Sequence, residues 1–140
     1  MGSDKDQALM QAATEVLASL GIEHQVHVMS AHRTPRRVAE FASAARDEGF
    51  AAIICGAGKA AHLAGAVAAH TTLPVIGVPI AAGGLGGLDA LLSTVQMPTG
   101  IPVATVAVDS AANAAYLAAA IVGVTDAAVA AKLAEYRDSW

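Results

Sequence analysis

The sequence predicts an α/β fold in which helices cover both faces of a doubly wound parallel sheet. Short apolar runs alternate along the chain with segments in which apolar residues recur every three or four positions. Such runs are typical of strands buried on both faces, and the longer periodic segments are typical of helices. The chain has 140 residues, and no internal repeat or linker divides it. We therefore expect one domain over residues 1–140, with alternating strands and helices.

The predicted elements follow from these two periodicities and from the residues that end each segment. The first helix places Ala12, Val16 and Leu20 on one face and ends at Gly21, since glycine is a common helix terminator. Helices are predicted over 8–20, 36–48, 88–95, 111–122 and 126–136, and strands over 22–29, 51–55, 73–79 and 101–108. The glycine-rich segment 81–87 is expected to be a loop.

The composition argues against several classes of protein. The chain is 55% hydrophobic and 14% charged, and much of the apolar excess is alanine, which favours close helix packing and contacts between subunits. The net charge of -4 and the lack of a basic stripe give no reason to expect nucleic-acid binding. No long apolar segment or signal peptide is apparent. Because Cys55 is the single cysteine and no export signal is seen, we expect a cytoplasmic protein.

The stretch Ser30–Pro35 carries the densest group of reactive side chains. Ser30, His32 and Arg33 follow the predicted strand 22–29. Imidazole can give and take a proton near neutral pH, and guanidinium binds phosphate or carboxylate oxygens in a fork. Thr34 and Pro35 are typical of a helix N-cap and first position. Because open α/β sheets bind ligands where strands end, the stretch predicts a ligand site, with a solvated turn as the alternative.

Two further turns are candidates for the same site. Gly56 and Gly58 end the predicted strand 51–55, and His62 follows; a glycine turn there lets backbone approach a ligand closely, but the P-loop spacing is missing. Ser3 and Asp6 precede the first helix, where they either meet an anion or only cap the helix. The other histidines are expected on the surface or in packing roles, without a bound metal: His24, His27 and His70.

Five segments of the chain, taken together, carry a family resemblance. They are SAHRTP at 30–35, GAGKAAHLAG at 56–65, LPVIGVP at 73–79, STVQMPTG at 93–100 and PVATVA at 102–107. In this order they resemble the N5-carboxyaminoimidazole ribonucleotide mutases of purine biosynthesis over nearly the whole chain. The resemblance implies a flavodoxin-like three-layer fold, a homo-octamer with sites at subunit contacts, and transfer of a carboxylate from the exocyclic nitrogen to ring carbon C4 of a ribonucleotide. It also implies that no metal, biotin, ATP or other cofactor takes part.

The resemblance assigns a role to each candidate residue. His32 matches the general acid/base that moves a proton between ring and nitrogen, and His62 matches a second histidine near the carboxylate pocket. The other residues match substrate contacts: Ser3, Ser30 and Arg33 at the phosphate, Asp6 at the ribose hydroxyls, and Gly58 with its neighbours at the carboxylate pocket. Lys59, next to Gly58, is therefore also expected to contact the substrate. In that family the released carbon dioxide stays trapped until the ring carbon recaptures it.

The chain departs from the family pattern at four positions. Lys5 replaces a serine, Lys59 a small neutral residue, Ala64 a proline and Ala90 a serine. Lys59 either holds the carboxylate, serves a different acidic substrate, or faces solvent or another subunit. The two lysines leave open two alternatives to a mutase: a paralogue that directly carboxylates or decarboxylates a related nucleotide, and a nucleotide-binding module without catalysis.

The family also has an apolar strand ahead of the turn that begins here at Met1. A sheet without that strand would leave the first helix poorly anchored and backbone groups unpaired. We therefore expect the native protein to carry residues before Met1.

Overall fold

Three parallel strands form the centre of the computed structural model, which describes residues 1–140. They are β1 (Ile53–Gly58), β2 (Val75–Ile80) and β3 (Ala104–Thr105), in the order β1-β2-β3. Ile53 lies opposite Val75 at one end of the β1–β2 ladder, and Gly58 lies opposite Ile80 at the other. All six residues of β2 are buried, as expected for a strand covered on both faces.

Six helices flank the sheet, and the first is preceded by a short 3-10 turn over Asp4–Asp6. They are α1 (Gln7–Ser19), α2 (Pro35–Ala44), α3 (Leu63–Ala68), α4 (Leu88–Val95), α5 (Ala111–Val122) and α6 (Ala127–Asp138). Helices α1 and α5 pack with Val78 on one face, whereas α2 and α3 pack with Cys55 on the other. The result is the three-layer, flavodoxin-like arrangement predicted from the sequence.

The predicted strand 22–29 is wrong as a strand. No regular structure is assigned there, and between Ile22 and Met29 no backbone N–H donates to another backbone group. Near its end the segment bonds to Met1: the Met1 ammonium donates to the His27 carbonyl at 2.8 Å, and the Met29 N–H donates to the Met1 carbonyl at 3.0 Å. Val26 and Val28 favour strand backbone, but a strand needs a paired neighbour, and none lies between this segment and β1.

The predicted strand 101–108 is much shorter in the structure, since β3 contains only Ala104 and Thr105. They pair with Ile76 and Gly77 of β2. The next β2 residue that faces β3 is Pro79, which has no N–H to donate, so the regular ladder stops there.

Most helix predictions are confirmed in position. Helices α4 and α5 have the predicted bounds, and the others differ at their ends by up to four residues. Gly49 follows the second helix with φ 87°, a left-handed conformation that favours glycine. No helix is both long enough and apolar enough to cross a membrane.

Candidate functional site

Several turns follow parallel segments at one edge of the sheet, the edge where the strands end. One turn begins at Ser30, after the segment 22–29, and another at Lys59, after β1. The glycine-rich loop 81–87 follows β2, and Asp109 follows β3. The site predicted from sequence falls on this edge, which is where open α/β sheets place ligands.

The turn Ser30–Thr34 is held by its own side chains. The Arg33 N–H donates to Ser30 Oγ at 3.2 Å, and the Ser30 N–H donates to Thr34 Oγ1 at 2.9 Å. Thr34 Oγ1 in turn donates to the Ser30 carbonyl at 3.1 Å. Thr34 lies at the N-cap of α2, as predicted, but its side chain makes no capping bond because it closes this turn. Pro35 occupies the start of α2, as predicted.

The two candidate histidines meet directly. His32 Nε2 and His62 Nδ1 lie 2.8 Å apart, and the ring centroids are 4.9 Å apart with planes at 78°. Since one nitrogen must donate and the other accept, the two rings are joined through a single proton. Both side chains are exposed, and His62 lies at the N-cap of α3. The contact holds the two rings against each other at an exposed position, and imidazole is a group that can give and take a proton.

Arg33 connects this turn to the beginning of the chain. Its Nη2 donates to the Gly2 carbonyl at 3.3 Å, and the Gly2 N–H donates to the Gly56 carbonyl of β1 at 3.0 Å. The guanidinium consequently lies beside the backbone that leads into Ser3. Arg33 and Ser3, both predicted to bind phosphate, are thus brought to neighbouring positions.

Ser3 and Asp6 differ in how far they serve as caps. Ser3 Oγ accepts the Lys5 N–H at 3.3 Å and so caps the 3-10 turn Asp4–Asp6 rather than α1. Asp6 lies at the N-cap of α1, but its side chain makes no capping bond. Burial raises the pKa of Asp6, against the opposing influence of the Met1 ammonium and a backbone hydrogen bond from Ser3.

Gly58 and Lys59 line the place where β1 ends against the glycine-rich loop. A Cβ at Gly58 would lie 2.7 Å from Ala82 Cβ and 2.9 Å from the Ile80 carbonyl oxygen, so only glycine fits. Lys59 is exposed and has φ 57°, a left-handed conformation rare for lysine. Its Cε passes 3.6 Å from the position of a Cβ at Gly83. The lysine therefore lies along the loop 81–87 at the edge of the site.

Asp109 is a residue that sequence reasoning missed. Its Oδ1 accepts the Ala81 N–H at 2.8 Å, and its own N–H donates to the Pro79 carbonyl at 2.9 Å. Its φ of 59° lies in the left-handed region, which aspartate tolerates better than most residues. Asp109 therefore holds the start of the loop 81–87. The available signal was an acidic residue directly after a predicted strand.

The remaining histidines are not part of this site. The His27 ring lies 4.9 Å from the Phe41 ring, His24 Nδ1 contacts the Ile22 carbonyl at 3.2 Å, and His70 is exposed. The surface and packing roles predicted for them are confirmed.

The fold and this edge define an α/β protein in which a histidine pair, an arginine and a glycine turn come together where the strands end. The family described as AIR carboxylase matches residues 1–140, and the chain belongs to this family. It is 51% identical over 138 residues to the N5-carboxyaminoimidazole ribonucleotide mutase of Thermotoga maritima, covering 99% of this chain and 81% of the relative.

Two further similarities are informative. The chain is 49% identical over 138 residues to the chloroplastic phosphoribosylaminoimidazole carboxylase of Vigna aconitifolia, covering 99% of this chain and 25% of that protein. The crystal structure of Treponema denticola PurE superposes with a TM-score of 0.87 at 30% identity, covering 99% of this chain and 87% of that one. The fold and family predicted from the sequence are confirmed.

Proposed function

We propose that this chain is an N5-carboxyaminoimidazole ribonucleotide mutase, an isomerase of purine biosynthesis that moves a carboxylate from N5 to ring carbon C4. The contact of 2.8 Å between His32 and His62 carries the proposal, because it supplies a held, accessible proton carrier in a family whose relatives include named mutases. No cofactor is needed for the steps below.

The reaction requires one proton to move in each direction. When the N–C bond to the carboxylate breaks, its electron pair stays on nitrogen, which accepts a proton, and carbon dioxide is released. Ring carbon C4 then attacks carbon dioxide and loses its own proton to a base. A single side chain suffices, because the proton removed from C4 replaces the one delivered to nitrogen. We assign this role to His32, with His62 orienting its ring and sharing the charge of the protonated state.

Binding at the phosphate would fix the base relative to His32. Ser30 Oγ accepts from the Arg33 N–H, which leaves its hydroxyl hydrogen free for a phosphate oxygen. The Arg33 guanidinium contacts the Gly2 carbonyl next to Ser3, and we assign the Asp6 carboxylate to the ribose hydroxyls. Binding energy from these remote groups orients the reacting atoms.

The turn at Gly58 and the loop 81–87 are where we place the carboxylate pocket. Gly58 packs tightly against Ala82, and Lys59 runs along the loop 81–87. A pocket closed around the bound substrate by these groups would exclude water and keep the released carbon dioxide near C4. The Lys59 ammonium is suited to hold the substrate carboxylate before it leaves.

We further propose a cytoplasmic homo-octamer whose only ligand is the ribonucleotide, with no nucleic acid or membrane partner. The octamer follows the family resemblance and is supported by an apolar stripe that runs from the loop 81–87 along α4. The side chains of the stripe are each exposed by 47% or more: Leu85, Leu88, Leu92 and Val95. Such a stripe on a small domain is suited to contact another copy. Light scattering on the purified protein, compared with Leu92→Asp, tests this: we expect eight copies and a smaller assembly for the variant, whereas a monomeric parent contradicts it.

The function itself is tested with a single substrate. Purified protein is given N5-carboxyaminoimidazole ribonucleotide without bicarbonate, and the C4-carboxylated product is followed. We expect conversion by the parent and a turnover lower by about 10² to 10⁴-fold for His32→Asn. A folded parent that makes no product would overturn the proposal.

A second candidate is direct carboxylation of aminoimidazole ribonucleotide. Lys59 at the carboxylate pocket and the similarity to a protein named as a carboxylase favour it. Product formed from aminoimidazole ribonucleotide and bicarbonate, but not from the single substrate above, would establish this reaction instead.

A further inference from the structure

The two non-glycine residues with left-handed backbone stand on either side of the loop 81–87. Lys59, with φ 57°, directly follows β1, and Asp109, with φ 59°, follows β3. Every other residue with a positive φ is a glycine. Aspartate tolerates this conformation through its short polar side chain, whereas lysine has no such compensation. The backbone of Lys59 is therefore strained, and strain of this kind is common at sites that bind ligands.

The Lys59 side chain lies along the loop, but its ammonium has no partner in the chain. Its Cε passes 3.6 Å from the position of a Cβ at Gly83, and the residue is exposed. Lys132 is a contrast, because its Nζ donates to the Leu20 carbonyl at 3.1 Å, whereas Lys59 Nζ donates to no group of the chain. The ammonium hydrogens of Lys59 are thus available to an acceptor that binds at this edge.

Lys59 lies between the two features of the proposed site that act on the carboxylate. Gly58, directly before it, packs against Ala82, where we place the carboxylate pocket. His62, later in the same turn, contacts His32 at 2.8 Å. Within this turn the permanent positive charge belongs to Lys59 alone. An anionic group bound beside the turn would therefore meet this ammonium.

A cation at this position acts unequally on the steps of the proposed reaction. Before and after the transfer, the nucleotide carries a carboxylate whose charge an ammonium stabilises. Between the two, the N–C bond has broken, its electron pair stays on the nitrogen that accepts the proton, and the carbon leaves as uncharged carbon dioxide. The ammonium therefore stabilises the two carboxylated nucleotides more than the state between them. Such an interaction lowers KM without raising kcat.

We propose that Lys59 is a specificity-determining residue whose ammonium selects carboxylated nucleotides over the same nucleotide without its carboxylate. The inference rests on the proposed function, and it adds that Lys59 retains the carboxylated ligand rather than accelerating the transfer. Arg33, which we assign to the phosphate, does not discriminate in this way, because both kinds of nucleotide carry the phosphate.

The test uses three substitutions of Lys59 in the full chain. Lys59→Met removes the charge and keeps an unbranched side chain, Lys59→Arg keeps the charge, and Lys59→Gly removes the charge and fits the left-handed backbone. Calorimetry measures binding of the C4-carboxylated nucleotide and of aminoimidazole ribonucleotide to each protein. We expect the preference for the carboxylated nucleotide to fall about tenfold in Lys59→Met and Lys59→Gly, and Lys59→Arg to retain most of it.

Steady-state kinetics and thermal unfolding provide two further readouts. KM should rise about tenfold in Lys59→Met, while kcat stays equal to or above that of the parent. The thermal midpoint of Lys59→Gly should equal or exceed that of the parent, because glycine adopts φ 57° without steric cost.

An unchanged preference in Lys59→Met would overturn the proposal, and so would a kcat that falls while KM stays the same. A lower midpoint of Lys59→Gly, with equal weakening of both nucleotides, would show that Lys59 is structural. A parent that binds with the expected preference but makes no product contradicts the proposed function alone, so the two failures are distinguishable.

Discussion

The two sides of β1 show how differently parallel segments can be held. At its carboxyl end, side chains close the turns: Thr34 binds Ser30, Asp109 binds Ala81, and His32 meets His62. Along its outer side, Ile54 lines a cavity of about 830 Å³ between β1 and residues 22–29, and no strand pairs with β1 there. A turn that is closed by its own side chains needs few distant partners. The backbone groups at a strand edge, by contrast, are hydrogen-bonded only when another strand lies beside them. Substitutions on the two sides should therefore differ in what they damage.

The largest effect is expected at the histidine pair. His32→Asn removes the proton carrier while keeping a polar group at the same exposed position, so turnover should fall by about 10² to 10⁴-fold. The free energy of unfolding should change little, because the side chain is exposed. Steady-state kinetics and denaturant titration measure the two effects. Equal losses of activity and stability would mean that His32 is structural.

The matched variant His62→Asn separates carrying the proton from orienting its carrier. We expect a smaller loss of kcat than for His32→Asn, because the nitrogen that contacts His32 at 2.8 Å is replaced while the proposed proton carrier remains. A loss of kcat as large as that of His32→Asn would contradict a purely orienting role for His62.

Gly58→Ala should displace the backbone at the end of β1. The added Cβ would lie 2.9 Å from the Ile80 carbonyl oxygen, so the strand end must shift, at a cost of about 1–3 kcal/mol. Gly84→Ala is the matched control, since a Cβ there meets nothing within 4 Å. Thermal unfolding of both variants is compared, and similar midpoints would contradict the close packing inferred at Gly58.

Asp109→Ala should loosen the glycine-rich loop. It leaves the Ala81 N–H without its acceptor, and we expect a loss of about 1–2 kcal/mol in stability. Asp109→Asn keeps an oxygen at this position and should retain most of the stability. If the two variants lose the same amount, the carboxylate charge rather than the hydrogen bond is what matters.

The smallest effect is expected at Met1, in the dependence of stability on pH. Burial lowers the pKa of the Met1 ammonium below its ordinary value of 8.0. Between the lowered pKa of the folded chain and 8.0, the unfolded chain therefore binds more protons than the folded chain. Stability should therefore rise as pH increases through that window. Denaturant titrations of the parent and of the N-acetylated chain measure this, and an equal pH dependence in both would place its origin elsewhere.

Sequence patterns predicted what depends on local periodicity. Helix α5 has the predicted bounds because its alanine-rich pattern lies within the helix itself. Strand β2 is buried, as its apolar run indicated. The segment 22–29 failed as a strand because pairing depends on a distant part of the chain. Val26 and Val28 favour strand backbone, but no neighbouring strand pairs with this segment.

The candidate site was predicted in its location rather than in its contacts. Because His32 and His62 follow two different predicted strands, the sequence placed both at one edge of the sheet. Their contact of 2.8 Å, however, depends on how α3 begins. Asp109 was missed because its role comes from a left-handed backbone and a bond to a loop 28 residues away in sequence. Neither feature has a pattern in the sequence.

The proposed function requires the carboxylate to move within one site without leaving it. The most direct measurement supplies N5-carboxyaminoimidazole ribonucleotide labelled with ¹³C in its carboxylate, in a solution of unlabelled bicarbonate, and follows the product by NMR. We expect the label to be retained at the C4 carboxylate, because the proposed mechanism recaptures the released carbon dioxide before it exchanges with solution. Product carrying only unlabelled carbon would contradict the claim and show that carbon dioxide is taken from solution.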